Sequence, residues 1–220
     1  FYVIFNLFKS KPTLKELIPK DFIDIHSHIL PGIDDGPKNI KESLVLISKM
    51  KDLGFSKIIA TPHTYPGLYN NSKSSITKSY NSLMNALKSH IEISFATEYM
   101  IEFDLVKKSD EKSLLTLDNK HVLLEFGFYN TPNNYHEILF SMLKNGYVPI
   151  VAHPERYLYL ENNFKLFYKL RDIGCKFQIN LISFTGYYGK NVLKLANKLI
   201  DNNLIDFVGS DIHNIGHIKQ

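Results

Sequence analysis

Residues that can bind a metal ion follow several short apolar runs of this sequence. The runs are DFIDIHSH, KIIATPH, EISFATE, HVLLE, VPIVAH and IDFVGSDIH. If they are parallel strands, their carboxyl ends converge on one rim, so distant side chains can meet in one pocket. Imidazole and carboxylate groups are typical ligands of divalent metals. The nine candidates are His26, His28, Asp35, His63, Glu98, Glu125, His153, Asp211 and His213.

The first run ends in a His-x-His pair. His26 and His28 alternate along a predicted strand, so both side chains point to the same face and form half of a metal site. A Pro/Gly turn then carries two aspartates back toward the rim. Asp35 is favoured as a ligand and Asp34 as a structural residue. The alternative is that both are turn residues or the N-cap of the next helix.

Three further candidates follow the next strands. His63 comes after Thr-Pro, and the proline favours an extended approach to the rim. Glu98 and Glu125 each end an apolar run that would bury them, and a buried carboxylate needs a compensating cation. A metal ion is one such cation. The alternatives are an ion pair with a lysine for Glu125 and exposure on a loop for Glu98.

The segment A-H-P-E-R-Y places an arginine three residues after a candidate ligand, His153. The planar guanidinium of Arg156 can bind an oxyanion with two parallel hydrogen bonds, which favours a phosphate or carboxylate substrate. A surface contact between Arg156 and Glu155 is the alternative. Asp211 and His213 alternate after the last predicted strand, as His26 and His28 do after the first.

The number and type of the candidates predict a multi-metal hydrolase. Nine ligands are too many for one ion, whereas two or three ions that share a bridging carboxylate would use them all. Oxygen and imidazole ligands without thiolate suit Mn, Fe or Zn. Two ions about 3.5–4 Å apart can activate a water and stabilise both oxygens of an in-line displacement at phosphorus. Cys175 lies inside an apolar run and is interpreted as a buried small hydrophobe.

Strand patterns alternate with amphipathic patterns along the chain, which predicts a parallel sheet or barrel. The predicted strands are 22–26, 57–61, 92–97, 121–125, 148–152, 175–180 and 205–210. The predicted helices lie near 38–53, 73–90, 133–145, 162–173 and 189–202. Seven strands are one fewer than in the usual barrel. The stretch 64–76 is predicted to be a mobile loop beside the rim.

Composition narrows the class of protein. A length of 220 residues favours one domain, and 44% hydrophobic with 22% charged residues is typical of a soluble globular protein. A net charge of +4, spread along the chain, argues against nucleic-acid binding. One cysteine excludes an internal disulfide framework and fits the cytoplasm. No run approaches the ~20 apolar residues of a membrane span.

The first and last residues of the sequence bear on whether a signal peptide is present and whether sequence is missing. The opening FYVIFNLF is too short for a span and lacks a cleavage site, so a signal peptide is not expected. A strand, a homo-oligomer contact and a loose membrane-surface contact are the interpretations left open. The first residue is Phe, and few residues follow His213, so incomplete ends are expected.

These motifs resemble those of the polymerase and histidinol phosphatase (PHP) superfamily and, within it, of bacterial capsule-type tyrosine-protein phosphatases. The residues that carry the resemblance are D-I-H-S-H with D-D-G-P, T-P-H at 61–63, T-E at 97–98, L-E-F at 124–126, A-H-P-E-R-Y at 152–157 and S-D-I-H at 210–213. The resemblance implies a distorted (β/α)7 TIM-like barrel at 22–220, preceded by an extension at 1–21.

The resemblance also implies roles for residues. Two or three divalent ions are expected, most commonly manganese. Arg156 would grip the phosphate, with Asp211 and His213 also catalytic. His26, His28, Glu98 and Asp211 would hold one ion, Glu98, Glu125 and His153 a second, and Asp35, His63 and His213 a third. The implied reaction is hydrolysis of phosphotyrosine by a metal-activated water, on a tyrosine kinase that controls polysaccharide export.

Two departures from the resemblance and three rival functions stay open. Similar phosphatases often have a second histidine where this chain has Thr64, and an arginine beyond the last histidine, where this chain has H-N-I-G-H-I-K-Q. Lys219 or His217 would then supply positive charge to the substrate. The rivals are a histidinol-phosphatase-like enzyme for a small metabolite, an amidohydrolase-like enzyme for C–N bonds, and an inactive binding module.

Overall fold

Strands alternate with helices in the computed structural model of the chain, which describes residues 11–88, 90–102 and 104–220. The strands are β1 (Phe22–Ser27), β2 (Phe55–Ala60), β3 (His63–Thr64), β4 (Glu92–Phe95), β5 (Glu98–Met100), β6 (His121–Glu125), β7 (Val148–Ala152), β8 (Lys176–Asn180) and β9 (Phe207–Gly209). The α-helices are α1 (Leu14–Leu17), α2 (Ile40–Leu53), α3 (Lys73–Ala86), α4 (Asp104–Asp110), α5 (Tyr135–Lys144), α6 (Lys165–Ile173), α7 (Lys190–Asp201) and α8 (Ile215–Ile218). Short 3-10 helices cover Pro154–Arg156, Leu158–Asn163 and Leu181–Thr185.

The strands form two parallel sheets, with the orders β1-β2-β4 and β3-β5-β6-β7-β8-β9. The predicted α/β class with parallel strands is therefore confirmed. A closed seven-stranded barrel is not confirmed, because the hydrogen-bonded ladder is divided between the two sheets. The predicted strands 57–61 and 92–97 correspond to β2 and β4, and each is followed by a further short strand that was not predicted, β3 and β5.

Pro62 separates β2 from β3. Proline has no N–H to donate to a ladder, so a strand is interrupted where it occurs. The hydroxyl of Thr97 instead donates to the carbonyl oxygen of Pro62 at 2.6 Å, and the amide of Glu98 bonds to the same oxygen at 3.1 Å. These bonds start the second sheet with His63 opposite Glu98. Two candidate ligands thereby become neighbours.

The end of β1 also lies against the segment that follows β9. The amide of His28 donates to the carbonyl of Ile212 at 2.9 Å, and the amide of Asp211 donates to the carbonyl of His26 at 2.8 Å. The buried carboxylate of Asp24 accepts from the amide of Ser210 at 2.9 Å and from the Ser210 hydroxyl. These bonds join β1 to the segment that follows β9 at one rim.

Helices cover the outer faces of the sheets. Helix α2 buries Leu46, Ile47 and Met50 against β1 and β2, and the carbonyls of its last turn are capped by Gly54. The φ of Gly54 is 112°, in the left-handed region where glycine is favoured. Cys175 is buried, as predicted, and burial raises the pKa of its thiol to about 12.

The prediction of a loop at 64–76 is wrong at both ends of the range. Thr64 is in β3, and residues 73–76 form the first turn of α3. The Ser72 hydroxyl accepts from the amide of Ser75, and the Ser75 hydroxyl accepts from the amide of Ser72. This reciprocal cap begins a helix where the run of Asn and Ser residues was interpreted as a loop.

The opening apolar run falls in residues 1–10, outside the described residues. In the described ranges, the longest α-helices have 14 residues, and none could cross a bilayer.

We expect Asp24→Ala to lower the free energy of unfolding by about 1–3 kcal/mol, because it leaves the buried amide of Ser210 without a partner. Urea unfolding in EDTA measures this without a contribution from bound metal. Asp52→Ala, which removes an exposed carboxylate of α2, is the control and should change stability by less than about 0.5 kcal/mol. Equal stability of the two variants would contradict a role for Asp24 in joining β1 to the segment that follows β9.

Candidate metal centre

All nine predicted ligands come together at one rim of the two sheets. His26 lies near the end of β1 and His28 directly follows that strand, His63 and Glu98 begin β3 and β5, and Glu125 ends β6. The other four lie in the segments that follow strands. Their ligand atoms form four groups, each within 4.8 Å: His28, Asp35, His63 and His213; His26, Glu98 and His153; His26, His28 and Asp211; and His63, Glu98 and Glu125.

Glu98 lies at the centre of these groups and belongs to two of them. Its carboxylate is fully buried, with Oε2 at 3.3 Å from Nε2 of His26 and 3.1 Å from Nδ1 of His63. Oε1 is 3.1 Å from Nε2 of His153. Burial opposes the negative charge, but the imidazoles of His26 and His63 outweigh it and hold the pKa of Glu98 well below its usual range. A carboxylate so placed can bridge two ions.

The donor set fits a divalent metal. Nδ1 of His26 is 2.7 Å from Oε1 of Gln178, and Nδ1 of His28 is 2.8 Å from Oδ2 of Asp34. Because both partners are acceptors, these bonds place the protons on Nδ1 and leave the Nε2 lone pairs free for a cation. The two Nε2 atoms face each other at 3.2 Å. Two lone pairs this close repel each other unless a cation or a proton lies between them.

Unpaired buried atoms support the same fit. Nδ1 of His63, Oε2 of Glu98 and Nδ1 of His153 are buried and make no hydrogen bond. Burial and the neighbouring Glu98 raise the pKa of Glu125 to about 8, which shows how strongly this pocket disfavours two carboxylates without a cation. A divalent ion would satisfy these groups together.

The grouping differs in part from the one that the resemblance implies. His153 is grouped with His26 and Glu98, and Glu125 with His63 and Glu98. His153 and Glu125 still lie close, with Nε2 and Oε1 at 3.6 Å. Asp35 is half-exposed at the outer edge, where Oδ1 is 3.3 Å from Nε2 of His213 and 3.6 Å from Nε2 of His63.

Asp34 has the structural position that the sequence favoured. In addition to binding His28, its carboxylate accepts from the amide of His63 at 3.2 Å and from the amide of Gly36 at 2.9 Å. One side chain thus fixes the turn after β1, the ring of His28 and the backbone of His63.

Arg156 projects from the 3-10 helix after β7 into the same site. Its Nη1 donates to Oδ2 of Asp211 at 3.1 Å, and its guanidinium lies 4.6 Å from the ring of Phe128 and 4.5 Å from that of Tyr188. Burial opposes its charge, but the Asp211 carboxylate outweighs it and raises the pKa of Arg156. The guanidinium of Arg156 is therefore charged. One carboxylate and two aromatic rings hold it beside the candidate ligands.

The alternative of a surface contact between Arg156 and Glu155 is wrong. Glu155 is fully buried, and its Oε1 accepts from the amide of Asn180 at 3.0 Å and from the hydroxyl of Ser183 at 2.6 Å. It ties the turn that carries Arg156 to the end of β8.

A cavity of about 590 Å³ opens above the site. Its wall includes six of the predicted ligands or substrate contacts, namely Asp35, His63, Glu125, Arg156, Asp211 and His213. Six aromatic side chains line it as well: Tyr65, Tyr69, Phe128, Tyr129, Tyr187 and Tyr188. His217 is part of the wall, whereas Lys219 is exposed and is not part of it. Of the two predicted sources of positive charge, the structure brings only His217 to the cavity.

Two site residues were missed in the sequence. Gln178 binds His26, and Asn180 donates from Nδ2 to Oδ2 of Asp211 at 2.7 Å. Nε2 of Gln178 donates to Oδ1 of Asn180 at 2.9 Å, so the two form one buried network. The available signal was the Gln-x-Asn spacing in the apolar strand KFQIN, which puts two amides on one buried face.

We expect Gln178→Ala to weaken metal binding by about 10- to 100-fold, because the Nδ1 proton of His26 loses its acceptor. Competition of the protein with a chelator for Mn²⁺ measures this. Asn81→Ala, which removes an exposed amide from α3, is the control and should bind as wild type does. Wild-type affinity in Gln178→Ala would contradict a role for Gln178 in orienting His26.

We also expect His153→Ala to lower the number of metal ions per chain, because it removes the imidazole closest to Oε1 of Glu98. Elemental analysis of the purified variant measures this. His136→Ala, which removes an exposed histidine of α5, should retain the wild-type number. Unchanged stoichiometry in His153→Ala would show that His153 is not a ligand.

Known proteins are similar to this chain in both sequence and fold. A family model described as "Capsular polysaccharide synthesis, CpsB/CapC" matches residues 22–219. The tyrosine-protein phosphatase YwqE of Bacillus subtilis (strain 168) is 34% identical over 197 residues, which cover 88% of this chain and 78% of that protein. The tyrosine-protein phosphatase CpsB of Streptococcus pneumoniae is 33% identical over 202 residues, with coverages of 88% and 83%.

Solved structures agree with the sequence comparison. A crystal structure from work on YwqE of Bacillus subtilis and CpsB of Streptococcus pneumoniae, described as metal-dependent tyrosine phosphatases, has a TM-score of 0.83 at 32% identity and covers 90% of this chain and 82% of that chain. Histidinol phosphate phosphatase of Lactococcus lactis has a TM-score of 0.52 at 14% identity, with 89% of each chain covered, so the likeness concerns the fold alone. The chain belongs to the CpsB/CapC family of capsular polysaccharide synthesis.

Proposed function

We propose that this chain is a metal-dependent protein-tyrosine phosphatase that acts on phosphotyrosine proteins of capsular polysaccharide synthesis. The observation that carries the proposal is the convergence of nine metal-ligating side chains around Glu98, with a guanidinium beside them, at the base of an aromatic cavity. Relatives with about a third of their residues identical are named tyrosine-protein phosphatases. Because all nine side chains converge, catalysis is favoured over a role as an inactive binding module.

The site would hold two or three divalent ions, of which manganese is the proposed metal. The groups around Glu98 support more than one ion, because its carboxylate is shared and the nine ligands exceed the needs of one. Divalent ions in such a site activate water as a nucleophile and stabilise charge on the phosphoryl oxygens.

The chain's own residues position the substrate. Arg156 presents its fork to two phosphate oxygens, and Asp211 fixes the plane of that fork through the bond at 3.1 Å. His213 lies at the outer edge, between Asp211 and Asp35. The leaving group is a phenolate with a pKa near 10, so little assistance from a protein acid is needed.

The proposal extends to the fold, the domain and the partner. The bonds between β1 and the segment after β9 support a distorted (β/α)7 barrel of the PHP type over residues 22–220, with 1–21 as an extension. A tyrosine kinase that controls polysaccharide export is the proposed protein substrate. The single buried cysteine supports a cytoplasmic location.

The test is release of phosphate from a phosphotyrosine peptide with Mn²⁺ and with EDTA, beside histidinol phosphate. Release from the peptide alone, abolished by EDTA, is expected. Turnover of histidinol phosphate alone would make the enzyme a metabolite phosphatase. No turnover of either ester by the metal-bound protein would overturn the proposed activity.

A further inference from the structure

A second groove continues from the catalytic cavity, along the N-terminal ends of α2 and α8. The cavity and the groove share Asp35, His213 and Asn214, so the edge of the candidate metal site is a common wall. The groove has a volume of about 780 Å³. A chain that has one side chain in the catalytic cavity can therefore run directly into it.

The groove carries two lysines and two carboxylates, and one of the carboxylates, that of Asp35, already contacts His63 and His213. Lys38 and Lys41 are exposed, and no salt bridge joins either of them to another residue of the described ranges. Glu42 also lines the groove, but both of its oxygens are used in the start of α2. Oε2 accepts from the amide of Lys38 at 2.9 Å, and Oε1 accepts from Nδ2 of Asn39 at 2.7 Å.

A third lysine lies beyond the groove, on α3. A neighbouring depression of about 640 Å³ shares Asn39 and Lys41 with the groove and adds Lys78. Lys78 is exposed, and α3, which carries it, contains no acidic residue. Lys38, Lys41 and Lys78 thus form a continuous path away from the metal site, here named the lysine groove.

We propose that the lysine groove binds aspartate or glutamate side chains that flank the phosphotyrosine of the protein substrate. The inference rests on the proposed function and names the kind of sequence that the enzyme prefers. Isolated surface lysines are ordinarily just solvated, but these three line two adjoining depressions, the first of which borders the catalytic cavity. An extended segment advances about 3.3 Å per residue, so a few residues beyond the phosphotyrosine reach the groove.

The test compares two phosphotyrosine peptides of equal length, one flanked by glutamates and the other by glutamines. At low salt, wild-type kcat/KM is expected to be about 3- to 10-fold higher for the glutamate peptide, the size expected of two or three exposed ion pairs. The preference should shrink in high salt, which screens exposed charges. The triple variant Lys38→Ala, Lys41→Ala and Lys78→Ala should lose it and retain wild-type kcat/KM for p-nitrophenyl phosphate.

The matched control is Lys165→Ala with Lys169→Ala, which removes two exposed lysines from α6, away from both depressions. This variant should keep the preference. An enzyme that hydrolyses both peptides equally well overturns the inference and leaves the proposed function standing. If neither peptide is hydrolysed, the proposed function fails; fluorescence anisotropy with labelled peptides then decides the inference, which equal affinities would overturn.

Discussion

Replacing Arg156 with alanine is expected to lower kcat for a phosphotyrosine peptide by about 10²- to 10³-fold while metal content stays at the wild-type level. This is the usual loss when one donor to a developing oxyanion is removed. Arg156 is one of only two arginines in the chain, and it is the one that lines the cavity. Arg156→Lys should recover only part of the loss, because an ammonium keeps the charge but lacks the fork.

The other arginine offers a matched control. Arg171 lies on α6 and binds Asp206, with Nη2 and Oδ1 at 3.0 Å, and it is not part of the cavity wall. Arg171→Ala should therefore retain wild-type turnover. Wild-type turnover in Arg156→Ala would remove Arg156 from the reaction. Loss of metal in parallel with activity would mean that Arg156 acts by holding Asp211.

Glu98→Gln is expected to have the largest effect of any single substitution. We expect at least one metal ion fewer per chain and a loss of activity above about 10³-fold, which corresponds to the several kcal/mol that a bound ion supplies. The amide keeps the volume of the side chain but removes the charge that His26, His63 and His153 surround. Elemental analysis and phosphate release, measured on the same preparation, test both effects.

Glu92→Gln is the control for this experiment. Glu92 begins β4, is exposed, and pairs only with Lys57 among the ion pairs of the described ranges. It should keep the wild-type metal content and turnover. A wild-type circular dichroism spectrum for Glu98→Gln would show that the fold is intact. Full metal content in that variant would contradict the central position of Glu98 among the ligands.

Local patterns in the sequence were sufficient to locate the site. Each candidate ligand follows an apolar, β-branched run, and the ends of parallel strands meet at one rim whatever the details of the sheet. His26, Glu98 and Asp211 could therefore be expected in one pocket, although they are far apart in the chain. The alternation of strands and helices likewise predicted the α/β class.

Some features depend on contacts that no local pattern contains. The pairing of β8 with β9, and of β1 with the segment that follows β9, decides that Gln178 binds His26 and that Asn180 binds Asp211. The start of the second sheet at Pro62 depends on the hydroxyl of Thr97, which comes from the segment between β4 and β5. Glu155 is adjacent to Arg156 in sequence, but its carboxylate is buried against the end of β8 and does not form a surface contact with Arg156.

The sequence by itself determined which candidate ligands follow strands and that they lie at one rim. Strands can be recognised from the local pattern of apolar residues, and the ends of parallel strands meet at one rim. Only the tertiary structure decided which candidate ligands lie close together, that Arg156 contacts both Phe128 and Tyr188, and that His217 rather than Lys219 reaches the cavity. These outcomes depend on how segments that are distant in the chain pack together. The sequence of one segment does not show which side chains of another segment will contact it.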